Sequence, residues 1–118
     1  MKILQSFRYA FSGIFYLFKN ERNAITEFII FILVIILGIY FGVNRFEWLI
    51  ILLFASLVFG LEAVNTAVEG LSDFVSPDHD KRIKRIKDVT AGAVLMAAIF
   101  SVIAGVIIFL PYILESLQ

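Results

Sequence analysis

The sequence predicts an all-α polytopic membrane protein, built from an N-terminal amphipathic surface helix followed by three transmembrane helices. Three observations carry this reading. First, 61% of the 118 residues are hydrophobic, 13 of them phenylalanine, and the mean hydropathy is +0.96. That is more apolar surface than one small soluble core can hide. Second, three long runs are almost free of charge. Third, the charged residues gather between those runs rather than within them, as a bilayer requires.

The surface helix is expected over about 2–19. Ile3, Leu4, Phe7, Ala10, Phe11, Ile14, Phe15 and Phe18 recur at helical spacing, with Gln5, Arg8, Ser12, Tyr16 and Lys19 elsewhere on the wheel. One apolar stripe with flanking cations suits a helix lying in the membrane interface. A cleaved signal peptide would be uniformly apolar and end in a small-residue cleavage site, and this stretch does neither.

The first span is placed at about 24–43, where an uncharged run from Phe28 to Val43 extends backwards through Ala24 and Ile25. At about 1.5 Å per residue this is long enough to cross. Asn44 and Arg45 interrupt it. The second span is placed at about 47–73, with Trp48 suited to the interface, and a polar loop at 74–86 follows. The third span, about 87–111, contains the run Val89 to Leu110 and closes at Pro111. On this third span Ala97, Ser101 and Gly105 recur every fourth residue, which permits close helix packing within or between subunits.

Orientation follows from the cations. Lys2, Arg8, Lys19 and Arg22 precede the first span, and Lys81, Arg82, Lys84, Arg85 and Lys87 lie between the second and third. The positive-inside rule therefore places the N-terminus and the 74–86 loop in the cytoplasm of a plasma (inner) membrane protein.

Composition narrows the chemistry. With no cysteine there are no disulfides and no thiol nucleophile, and a single histidine leaves little room for imidazole chemistry. A formal net charge of zero gives no field directed at nucleic acid. No GxxxxGK[ST] phosphate loop is present. Catalysis must run on carboxylates, amides, Lys and Arg.

The stretch EAVNTAVEGLSD supplies them. Glu62, Asn65, Glu69 and Asp73 are spaced at i, i+3, i+7 and i+11, which a helix gathers into a sector of about 80°. Glu62 is expected near the inner edge of the hydrocarbon, with Glu69 and Asp73 in the headgroup zone. Ionisable groups at membrane depth usually mark function. A stripe of three acids without an interleaved base calls for a cation, and hard oxygen donors suit Mg²⁺. Glu21 and Glu27, before and within the first span, and Lys87 and Asp88, opening the third, belong to the same layer. Together these meet the needs of phosphoryl transfer: metal and ammonium at the phosphates, and a carboxylate to take the proton of an attacking hydroxyl.

Plainer readings compete. A polar stripe on a membrane helix also serves as a helix contact or a water-filled path. Asp78, His79 and Asp80 resemble a metal cluster but sit after Ser76-Pro77, where a solvated turn is expected. The basic run 81–87 reads as a topology determinant and lipid-headgroup contact, with nucleotide binding secondary.

The pattern Glu62-x-x-Asn65-Thr66-Ala67-x-Glu69-x-x-x-Asp73, a charged loop, and then Lys87-Asp88-x-x-Ala91-Gly92-Ala93-Val94-Leu95 closely resembles the prokaryotic diacylglycerol kinase family of small membrane lipid kinases. The resemblance covers nearly the whole chain, including Asn20-Glu21 with Glu27 six residues on. Glu21-Arg22-Asn23, Arg45-x-Glu47-Trp48 and Val64-Asn65-Thr66-Ala67 look more like the Gram-positive branch, whose usual lipid is undecaprenol.

The resemblance implies a homotrimer with active sites shared between subunits, using ATP as phosphate donor and Mg²⁺ as cofactor. It further implies Glu62 as general base, Glu21 and Glu69 as metal ligands, Asn65 and Lys87 as phosphate contacts, and Glu27, Asp73 and Asp88 as supports of the site or nucleotide. The surface helix and loop depart from the diacylglycerol-using branch, so undecaprenol and diacylglycerol both stay open as acceptors. A non-enzymatic transporter or assembly subunit is a third reading. It would more naturally put an acid mid-span, and none lies between Trp48 and Leu61.

Overall fold

A computed structural model describes residues 2–78 and 80–118. It contains four helices: α1 (Lys2–Asn20), α2 (Arg22–Phe41), α3 (Arg45–Val75) and α4 (Lys81–Ser116). The last three are long and apolar enough to cross a membrane. Their large apolar side chains stay exposed in a single chain, Ile39, Leu53 and Ile107 among them, so lipid or another subunit must cover them.

Only Glu21 separates α1 from α2. Its backbone is extended (φ −108°, ψ 112°), yet its N–H donates to the Leu17 carbonyl at 2.9 Å, so the chain bends here without losing its hydrogen bonds. Leu17 and Phe18, just before the break, pack against the bundle, while α1 from Lys2 to Tyr16 stays exposed. Phe7, Phe11 and Phe15 are exposed on its apolar stripe, and an interface helix presents such a stripe to lipid.

The α2–α3 corner is tightly specified. Gly42 takes the left-handed conformation (φ 64°), and the Val43 N–H donates to the Gly38 carbonyl at 3.1 Å, closing α2 with a Schellman turn. Asn44 and Glu47 then form a capping box: the Glu47 N–H donates to Asn44 Oδ1 and the Asn44 N–H to Glu47 Oε1, each at 2.9 Å. The Tyr112 hydroxyl near the end of α4 donates to that same Glu47 carboxylate. One acid thereby fixes the start of α3, the corner and the far end of α4.

Gly38 faces Trp48 across the corner. A Cβ there would lie 2.6 Å from Trp48 Cη2 and 3.0 Å from Cζ2, against a rigid ring. Overpacking of this kind typically costs about 1–3 kcal/mol. Gly38→Ala should therefore lower the melting temperature in detergent, and adding Trp48→Phe should restore most of the loss. An unchanged melting temperature would show that the corner yields freely.

The main packing is α3 against α4. At this corner end Val43, Ile51, Ile108 and Phe109 form a buried cluster, with Trp48 and Tyr112 against it. Two features differ from expectation. The charged segment expected as a loop to residue 86 is mostly wound into α4, because Asp80 caps its N-terminus by accepting from the Arg82 N–H at 2.8 Å. Nor does Pro111 close the last helix, which runs on to Ser116. Proline removes one donor, and at the exposed end of a long helix that loss is tolerated.

Candidate active site

α3 spans 31 residues, about 46 Å at 1.5 Å per residue, so it outreaches a ~30 Å hydrocarbon core. Apart from Glu47 in its first turn, its acids lie in the half farther from the Asn44 corner. Glu62 stands roughly 26 Å along the helix from Arg45 and is only 2% exposed, the most buried large side chain among the described residues. Asn65 and Ser72 on the same side are also buried, and Glu69 is half-buried. The stripe therefore faces inward, toward protein.

Glu21 and Glu27 converge on it from the α1–α2 bend. Glu27 and Glu62 meet carboxyl to carboxyl, and Glu21 and Glu69 are the other charges that Glu62 feels most. Four acids thus gather in one recess at this level, where a bound cation would offset the repulsion among their negative charges. Aromatic rings close one side. Phe18 of α1, Phe28 and Phe31 of α2 and Phe59 of α3 stack edge-on or tilted, with centroids 5.6 to 6.4 Å apart. These rings tie α1 to α2 and α3, the two helices whose residues and N-cap supply the four acids.

Two buried oxygens in the recess have no hydrogen-bond partner: Glu27 Oε2 and Asn65 Oδ1. The Asn65 amide is held by its other end, donating from Nδ2 to Glu69 Oε1 at 3.2 Å. Orphaned buried acceptors are uncommon and mark a missing ligand, ion or water. Unpaired hard oxygens beside carboxylates fit a magnesium ion that completes its shell with phosphate and water. Among the described residues no three Asp, Glu, His or Cys side chains are grouped so that they could by themselves hold a metal ion. An ion here is thus suited to arriving with a phosphate ligand rather than alone.

One helical turn beyond Glu69, Asp73 accepts from Lys87 Nζ at 2.8 Å, which joins α3 to α4 and places an ammonium at the rim of the site. Asp88 is not brought to this cluster. It lies about 100° around α4 from Lys87 and instead accepts from Lys84 at 2.8 Å, exposed to solvent. Nor do Asp78 and Asp80 come together as part of a metal site among the described residues. Asp80 caps α4, and the Arg82 guanidinium holds its carboxyl below the usual carboxylate range, while Asp78 is exposed; His79 lies outside the described residues.

Sequence reasoning missed the aromatic wall, Ser72 and the Glu47–Tyr112 tie. Ser72 falls on the acid face at i+10 from Glu62, so its spacing was a usable signal. The wall carried none, since with 13 phenylalanines no four stand out.

Three helices long and apolar enough to span a bilayer, with a group of carboxylates and an ammonium toward one end, define an integral membrane protein. The chain belongs to the prokaryotic diacylglycerol kinase family, whose family model matches residues 8–109. It is 36% identical over 110 residues to the undecaprenol kinase of Bacillus subtilis, covering 93% of this chain and 89% of that one. It is also 36% identical over 114 residues to a diacylglycerol kinase of Synechocystis, covering 96% of this chain and 65% of the relative. A diacylglycerol kinase of Haemophilus influenzae is 28% identical over 108 residues, 91% and 92% of the two chains.

Proposed function

We propose that this chain transfers the terminal phosphoryl group of ATP, in the presence of Mg²⁺, to the hydroxyl of undecaprenol, with diacylglycerol as the second candidate acceptor. The observation that carries the reading is the nearly inaccessible Glu62, set on a membrane helix among Glu21, Glu27 and Glu69. The similarity to the Bacillus undecaprenol kinase over most of both chains favours the polyprenol. The two diacylglycerol kinases keep the glycerolipid in view.

Glu62 accepts the proton of the lipid hydroxyl as its oxygen bonds to the γ-phosphorus. The bond from that phosphorus to the β,γ-bridging oxygen breaks, and ADP leaves. Lys87 and the amide of Asn65 contact the phosphates, offsetting charge that spreads over the transferring group. Glu21 and Glu69 would hold a magnesium ion, and the buried Asn65 Oδ1, which has no hydrogen-bond partner, offers it a further hard oxygen. When bound, that ion neutralises phosphate oxygens and aligns the triphosphate. Glu27 and Asp73 position the base and the ammonium, and Asp88 supports the nucleotide from the adjoining surface of α4.

A homotrimer of such subunits in the plasma membrane, with the α3–α4 connection in the cytoplasm, fits this chemistry. Another copy would cover the bare sides of a thin bundle and help close the recess against water, which a kinase must exclude to avoid hydrolysing ATP.

Given ATP and Mg²⁺ with each lipid in turn, purified protein should phosphorylate undecaprenol with a kcat/KM at least tenfold above that for diacylglycerol. The reverse preference would reassign the acceptor while leaving the kinase reading intact.

A further inference from the structure

Five cations lie in the first two turns of α4, and three are already engaged. Arg82 pairs with Asp80 at 3.2 Å, Lys84 with Asp88 at 2.8 Å and Lys87 with Asp73 at 2.8 Å. Among the described residues, the exposed Lys81 and Arg85 have no acidic partner within ion-pair distance. They stand one turn apart on one face of α4 and, with Arg82, line a shallow surface concavity that continues over Val89. The same face then runs along the apolar part of the helix through Met96 and Phe100. From Lys81 to Phe100 these residues fall within a sector of about 100°, and Val89, Met96 and Phe100 are 67%, 60% and 58% exposed. The buried α4 residues, Ala97, Ile108 and Phe109, lie on its other sides.

We infer that this face binds an anionic phospholipid of the surrounding leaflet, its phosphate on Lys81 and Arg85 and its acyl chains along Val89, Met96 and Phe100. Uncommitted cations at the end of a spanning helix, directly above a bare apolar track, match a molecule with a charged head and hydrocarbon tails. A soluble phosphate would leave the track uncovered. A second copy of the chain has few acids to offer at this level, because Asp73, Asp80 and Asp88 already hold cations. The site is separate from the carboxylate recess and needs no particular acceptor for the kinase reaction.

The test is lipid retention by the full-length protein in nanodiscs of mixed phosphatidylglycerol and phosphatidylcholine, read by native mass spectrometry. Each cation near a membrane surface is worth about fivefold in affinity for anionic lipid. The Lys81→Gln/Arg85→Gln double variant should therefore retain phosphatidylglycerol about twenty-fivefold more weakly, with phosphatidylcholine unchanged. The charge-conserving Lys81→Arg/Arg85→Lys variant should behave as the parent, which separates lost charge from lost folding. Equal retention by the parent and the Gln variant would overturn the proposal. So would displacement of the lipid by millimolar inorganic phosphate, which would mark a soluble-anion site. The chain has no cysteine, so disulfide-linked copies of Val89→Cys would reveal a subunit interface on this face and overturn it equally.

Discussion

Glu62→Gln should abolish phosphoryl transfer, lowering kcat by about a thousandfold, within the range that a positioned general base contributes. The amide is nearly isosteric and cannot accept the hydroxyl proton. The site is only 2% exposed, so no water-borne base readily replaces it. The same change should leave the melting temperature of the nucleotide-free protein unaltered or raised. A carboxyl buried against Glu21, Glu27 and Glu69 is unfavourable for folding, and functional sites commonly trade stability for chemistry. Activity lost together with the fold would make Glu62 a structural residue. Activity retained in a folded variant would remove it as the base.

Glu69→Gln should act on the metal. Gln keeps an Oε1 that can accept from Asn65 Nδ2, so the 3.2 Å contact and the position of Asn65 can survive while one negative charge is lost. The concentration of Mg²⁺ giving half-maximal rate should rise by ten- to a hundredfold, the usual effect of losing one element of a metal site. Excess Mg²⁺ should recover part of the rate, as read by ADP release across a magnesium titration. A variant with reduced kcat and an unshifted magnesium dependence would make Glu69 a holder of Asn65 rather than a metal ligand.

Much of this arrangement was legible in the sequence, for a physical reason. A helix of fixed pitch in a bilayer of fixed thickness leaves little freedom. Spacing alone put Glu62, Asn65 and Glu69 on one side of α3, and run length alone gave the three spans. What depended on local capping was half visible. Asn44-x-x-Glu47 and the Asp80 before the basic run are written in the chain, but the lengthening of α4 back to Lys81 emerges only once Asp80 accepts from the Arg82 N–H. What depended on pairing between distant residues was not legible. Tyr112 meets Glu47 across 65 positions, and Lys87, expected only at the level of the α3 acids, closes on Asp73 itself across 14. The aromatic wall around Phe59 belongs to this last class, since it depends on how α2 packs on α3 and on the break at Glu21 that brings Phe18 to the same rings.

The most direct measurement follows the γ-phosphoryl group itself. Purified protein in nanodiscs is given undecaprenol, Mg²⁺ and ATP labelled at the terminal phosphate, and the label is partitioned between the aqueous and organic phases. The account predicts one labelled lipid phosphate per ADP formed, with none in the presence of EDTA or with Glu62→Gln. ATP left intact whatever lipid alcohol is supplied, or label released to water at the same rate with and without lipid, would contradict it.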